Sequence, residues 1–158
     1  QLFISLHADS HPNGRFRGAS VYTLSEDASD AEAAALAAKE NKADVIAGVD
    51  LSRENEMVTN ILIDLAQRET KNLSARFAAL LVNEIGRDSI LVRNTHRFAG
   101  FAVLKAPDVA SVLLELGYLS NPTDEKLLAS PQHRKQLAQS VLRAVNAYFD
   151  WQESLKRS

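Results

Sequence analysis

Apolar and polar positions divide this chain into short apolar runs and longer stretches of helical period. Residues 2–6 carry Leu2, Phe3, Ile4 and Leu6, interrupted only by small Ser5, and the run stops at His7-Ala8-Asp9-Ser10. Three more runs follow: ASVYTL at 19–24, FAVL at 101–104 and SVLLEL at 111–116. Runs of this length, bounded by polar clusters, predict strands. Near-continuous apolar character points to a parallel sheet covered on both faces.

Between the second and third runs the period changes. EDASDAEAAALAAKEN has Ser29 or Asp30 as an N-cap, acids in its first turn and an alanine-rich body, all of which favour helix. The pattern breaks near Gly48. A second helix is predicted from about Arg53, where Met57, Val58, Ile61, Leu62 and Leu65 recur at helical spacing. Leu73, Phe77, Leu80, Leu81 and Ile85 continue that period to Gly86, read as a C-cap. Asn121-Pro122 and Ser130-Pro131 each start a helix with a cap and a proline in the first turn. The second of these is expected to bury Leu137, Val141, Leu142, Val145 and Phe149. Strands alternating with helices predict an α/β fold: a mainly parallel twisted sheet flanked by helices, with a helical insertion after an early strand.

Composition narrows the function. The 158 residues are 46% hydrophobic and 24% charged, enough for one domain with a real core. Net charge is −2, so no basic excess points to nucleic acid. No run of 18 apolar residues suggests a membrane span. Cysteine is absent, which excludes thiol catalysis and cysteine-ligated zinc.

Two residues stand out chemically. His7 ends a buried strand, where open α/β sheets gather their functional groups. Glu115 puts a carboxylate inside SVLLELG, where an unpaired charge is costly unless it meets a cation or transfers protons. The other three histidines carry less. His133 lies in a first helical turn and is expected to face solvent, His11 precedes Pro12 in a loop, and His96 sits in RNTHRFAG, read as a loop between helix and strand.

LFISLHADS, GASVYTLSEDASDAEAAALAAKENKAD and FAVLKAPDVASVLLELGYLSN together resemble the zinc-dependent N-acetylmuramoyl-L-alanine amidases of the amidase-3 type. The likeness runs from Leu2 to Phe149, with HADS and ELGYLSN in the family's order. It implies a Zn2+ hydrolase that cuts the amide between N-acetylmuramic acid and L-alanine of the peptidoglycan stem peptide, in the periplasm. His7 matches a zinc ligand and Glu115 the catalytic glutamate. The family's first histidine and its zinc-binding glutamate belong to an earlier strand and helix. Nothing here precedes the match to Leu2, so residues 1–158 are expected to be the C-terminal portion of one catalytic domain, with weak zinc affinity alone.

Residues 26–65 resemble the inserted helix of the cell-division amidases. There, such a helix covers the active site until an activator protein removes it, and one of its glutamates fills the metal's open position. Glu32 is the expected residue, being closest to the strand end, ahead of Glu40, Glu54 and Glu56. Val45, Ile46 and Val49 would give the insert an apolar patch for a partner. The rival reading is a non-catalytic amidase-like module that binds cell wall or a regulator. Glu115 argues against it, since a pure binder needs no buried carboxylate there.

Overall fold

The computed structural model of the chain describes residues 1–46 and 61–157, with side chains from 47 to 66 and that of Ile46 outside the description. The elements are β1 (Leu2–His7), β2 (Ala19–Leu24), α1 (Ala31–Ile46), α2 (Ile61–Asp88), β3 (Leu91–Ala99), β4 (Ala110–Glu115), α3 (Pro122–Ala129) and α4 (Pro131–Arg157). The strands form one sheet in the order β1-β4-β2-β3. β1 pairs parallel with β4 and β2 parallel with β3, while the central pair, β2 and β4, is antiparallel. The sheet is therefore mainly parallel, and the fold is α/β as expected.

Side chains alternate across the sheet and define two layers. On one face, Ala19, Val21, Ala110, Val112 and Leu114 meet Phe77, Leu81 and Ile85 of α2 and Leu137, Ala144 and Tyr148 of α4. On the other, Tyr22, Ala99 and Leu113 meet Ala33 and Ala37 of α1, together with Phe101 and Leu104. Parity places His7, Glu115, Ser20 and Arg97 on this second face, under α1. Gly18 lets β2 start close against β3. Its φ is +101°, and a Cβ there would lie 2.9 Å from the Ile90 carbonyl oxygen.

Several elements differ from the sequence reading. Residues 101–104 are not a strand. Ala102–Leu104 forms one 3₁₀ turn, apolar because Phe101 and Leu104 plug the α1-side core. The missing strand is β3, at the sheet edge, with polar residues on its open face. Edge strands carry such residues to discourage further pairing. His96 therefore sits in β3, where its Nε2 and the Thr23 hydroxyl hydrogen-bond at 3.0 Å. Gly86 lies inside α2, which continues to Asp88. α4 buries His133, Leu137, Ser140, Ala144 and Tyr148, so His133 is inside while Leu142 and Phe149 are exposed. The helix start from about Arg53, with Met57, Val58, Glu54, Glu56 and Val49, lies outside the described residues. Asn121 caps α3 as predicted, its side chain accepting from the Thr123 and Asp124 N–H groups, with Pro122 at the first position.

Candidate active site

Three strands bring their polar ends to one level. His7 of β1 is the register partner of Glu115 of β4, and Glu115 is that of Ser20 of β2. Glu115 is fully buried. Its Oε2 accepts the Asp9 N–H at 3.1 Å, and Oε1 has no hydrogen-bond partner among the described residues. Burial pushes its pKa up to about 8; the Asp9 N–H opposes this, and the Asp9 and Glu40 charges add to it. An ionisable oxygen left unpaired in a dry site is a group waiting for a ligand or a proton.

His7 is held on both sides. Its Nε2 and the Ser5 hydroxyl lie 2.8 Å apart, and its Nδ1 is 3.1 Å from Glu40 Oε2. The Asp9 side chain pairs with Lys39 of α1. The loop after β1 is anchored to the loop after β4 by backbone: Leu116 N–H donates to the His7 carbonyl and Leu119 N–H to that of Asp9. Below them, buried Asp124 accepts the N–H groups of Gly18 at 2.7 Å and Tyr118 at 3.1 Å, and pairs with Arg17.

At the β3 end lies a second charged group. Arg97 grips Asp30 with Nε and Nη2 at 2.9 and 2.8 Å, reaches Glu32 with Nη2 at 2.7 Å, and donates through Nη1 to the Tyr22 hydroxyl at 3.3 Å. Burial opposes ionisation of Asp30, but the Ala33 N–H, the Ser29 hydroxyl and Arg97 together hold its carboxyl below the usual range. Ser20 Oγ links Tyr22 to Tyr118, whose phenol burial pushes up and keeps neutral. Beneath α1 these groups border a cavity of about 400 Å³, walled by His11, Phe16, Tyr22, Arg97 and Tyr118.

The two helix glutamates thus reach different strands. Eight residues separate Glu32 from Glu40, about 12 Å along a helix. Three interstrand spacings, about 14 Å, separate β3 from β1. α1 lies across the sheet, so Glu32 meets Arg97 on β3 and Glu40 meets His7 on β1. The sequence reading favoured Glu32 for nearness along the chain; the structure brings Glu40 to the histidine instead. Glu32 stands 3.8 Å from His11 Nε2, not at His7. Asn41, one residue on, clamps α1 to the segment that follows β3, donating to the Gly100 carbonyl and accepting the Ala102 N–H, both at 2.8 Å.

The donors suit zinc in kind, an imidazole beside carboxylates. Among the described residues no three such groups converge as a ligand set.

Residues 1–147 match the family model described as N-acetylmuramoyl-L-alanine amidase. The chain belongs to this amidase family. The amidase AmiC of Neisseria meningitidis serogroup B is 39% identical over 150 residues, covering 94% of this chain and 36% of that one. The amidase AmiA of Escherichia coli K12 is 36% identical over 157 residues, covering 98% of this chain and 54% of that one. The chain thus spans between about a third and a half of the length of these two relatives. Among solved structures, the CwlD amidase from Clostridioides difficile, in complex with the GerS lipoprotein, superposes with a TM-score of 0.59 at 15% identity. That match covers 94% of this chain and 54% of CwlD, and it speaks for a shared fold.

Sequence reasoning singled out His7 and Glu115 but missed Arg97, Tyr118, Asn41 and Asp124. For Arg97 a signal existed: in LVRNTHRFA, Thr95, Arg97 and Ala99 alternate with exposed His96 and Phe98 at period two.

Proposed function

We propose that the protein carrying this chain is a zinc-dependent N-acetylmuramoyl-L-alanine amidase. It would cleave the amide between the lactyl group of N-acetylmuramic acid and L-alanine of the stem peptide. The observation that carries this reading is Glu115: fully buried, beside His7, with one oxygen fixed by Asp9 N–H and the other without a hydrogen-bond partner among the described residues, in a chain of the amidase family. His7 would be one ligand of the metal. When bound, zinc supplies a Lewis acid for the scissile carbonyl and lowers the pKa of water. Glu115 Oε1 takes the proton of the attacking water as the new C–O bond forms. It then delivers that proton to the alanine nitrogen as the C–N bond breaks, leaving a lactyl carboxylate and a free amine.

The same geometry supports a closed resting state. α1 sits over the site, and Glu40, rather than Glu32, is the residue we assign to block it. Opening would fall to an activator protein that draws α1 away, on the resemblance to division amidases, in septal wall splitting in the periplasm. Among the described residues no helix is long and apolar enough to cross a membrane. The test is digestion of purified peptidoglycan by the complete gene product, with products read by mass spectrometry. Release of stem peptides with a free L-alanine amine supports the reading; release of sugars, cleavage within the peptide, or intact wall overturns it.

A further inference from the structure

Arg97 plays no part in the hydrolysis described above, yet it is the most elaborately held cation of the α1 face. It is 6% exposed, on a strand position that points into the layer between sheet and helix. A guanidinium taken out of water needs its donors matched, and two acids match it here. Those acids share an origin. Asp30 caps the first turn of α1 through the Ala33 N–H, and Glu32 lies within that turn. The support from below is different. Tyr22 of β2, the register partner of Arg97, takes Nη1 on its hydroxyl and lies with its ring 6.0 Å from the guanidinium carbon. The sheet therefore fixes the fork, while the helix supplies the carboxylates that fill it.

With α1 in place, Arg97 borders a cavity of about 400 Å³ that the helix itself closes with Ala31, Ala35 and Leu36. If α1 withdraws, the Nε–Nη2 edge of Arg97 loses both partners and that space opens. Asp9, whose N–H holds Glu115, lines the same cavity. We propose that Arg97 reads a carboxylate on the peptide part of the substrate, and that Asp30 and Glu32 imitate that carboxylate when the site is closed. The inference rests on the amidase reading, in which α1 leaves to admit a stem peptide. It adds a specificity residue distinct from the chemistry. A planar fork binds a carboxylate through two parallel hydrogen bonds, which a lysine cannot reproduce.

The test is binding, kept apart from cleavage. The complete gene product with Glu40→Ala, which frees α1 from His7, is titrated calorimetrically in chelator, so that no metal can hold the peptide. The probes are L-alanyl-γ-D-glutamate and the same dipeptide with its α-carboxyl amidated. The expected result is at least tenfold tighter binding of the free acid, abolished by Arg97→Gln and reduced severalfold by Arg97→Lys. Thermal melts accompany each variant, and the lysine form keeps the test open should the glutamine form not fold. Equal binding of the two probes, the same preference in the Arg97 variants, or binding of neither overturns the proposal. Failure of the amidase reading would look different: intact wall in the digestion assay, whatever the dipeptides do.

Discussion

Replacing Glu115 by glutamine is expected to stabilise the metal-free fold increasingly as pH rises. The side chains have the same shape, and glutamine's carbonyl can keep the Asp9 N–H bond. What changes is the cost of a buried charge. The folded-state pKa is about 8 against an ordinary 4.5, so between those values the folded state holds a proton that the unfolded chain has released. Stability contributed by this group is thus fully present below about pH 4.5 and is lost as pH climbs to about 8. At about 1.36 kcal/mol per pKa unit the loss is ~3 kcal/mol at pH 7 and approaches ~5 kcal/mol above pH 8. The assay is urea unfolding of both proteins in chelator from pH 5 to pH 9. Wild type should lose stability across that range relative to the variant, the two curves converging near pH 5. Parallel curves would refute the reasoning, because they would mean that the carboxyl is solvated or already paired.

Other consequences follow from contacts around the site. Glu40→Ala removes a charged contact to His7 of the kind worth about 1.5–3 kcal/mol, which would raise unactivated wall cleavage roughly 10- to 100-fold; dye release from labelled sacculi reads it, with zinc content measured alongside. Asn41→Ala cuts the clamp to Gly100 and Ala102 without touching the site, and should raise basal cleavage severalfold in the same assay. Asp124→Ala strands the buried N–H groups of Gly18 and Tyr118 and should cost about 2–5 kcal/mol in urea unfolding, with Asp124→Asn costing less.

The division between what the sequence reveals and what it hides has physical causes. β2 and β4 are legible because they are the two central strands, and burial on both faces forces apolar runs. β1 is an edge strand and not the buried one its pattern suggests: Phe3 and Leu6 are exposed, and it is legible only because its edge positions are apolar all the same. β3, the other edge strand, is hidden because its exposed positions include polar Arg93, Asn94 and His96. The run at 101–104 misleads for the opposite reason: Phe101 and Leu104 are buried by a turn that plugs the core, and apolar character reports burial rather than strand. His7 and Glu115 were readable one at a time, as a histidine at a strand end and an acid in an apolar run. Their adjacency is a matter of register across β1 and β4, 108 positions apart in the chain, which no local pattern encodes. The choice between Glu32 and Glu40 depends on the angle at which α1 crosses the sheet. The helical face itself was present in the sequence, since Ala33, Ala37, Glu40 and Asn41 recur at three- and four-residue spacing. Its direction was not.

The central claim is that His7 holds the metal while Glu115 moves the proton. The most direct measurement compares wild type, Glu115→Gln and His7→Ala in the complete gene product, scoring bound zinc after dialysis and cleavage of purified peptidoglycan on the same samples. The account predicts that Glu115→Gln keeps its zinc and loses cleavage by a factor on the order of 10²–10⁴, while His7→Ala loses both. Near-wild-type cleavage by Glu115→Gln, or stoichiometric zinc retained by His7→Ala, would contradict it.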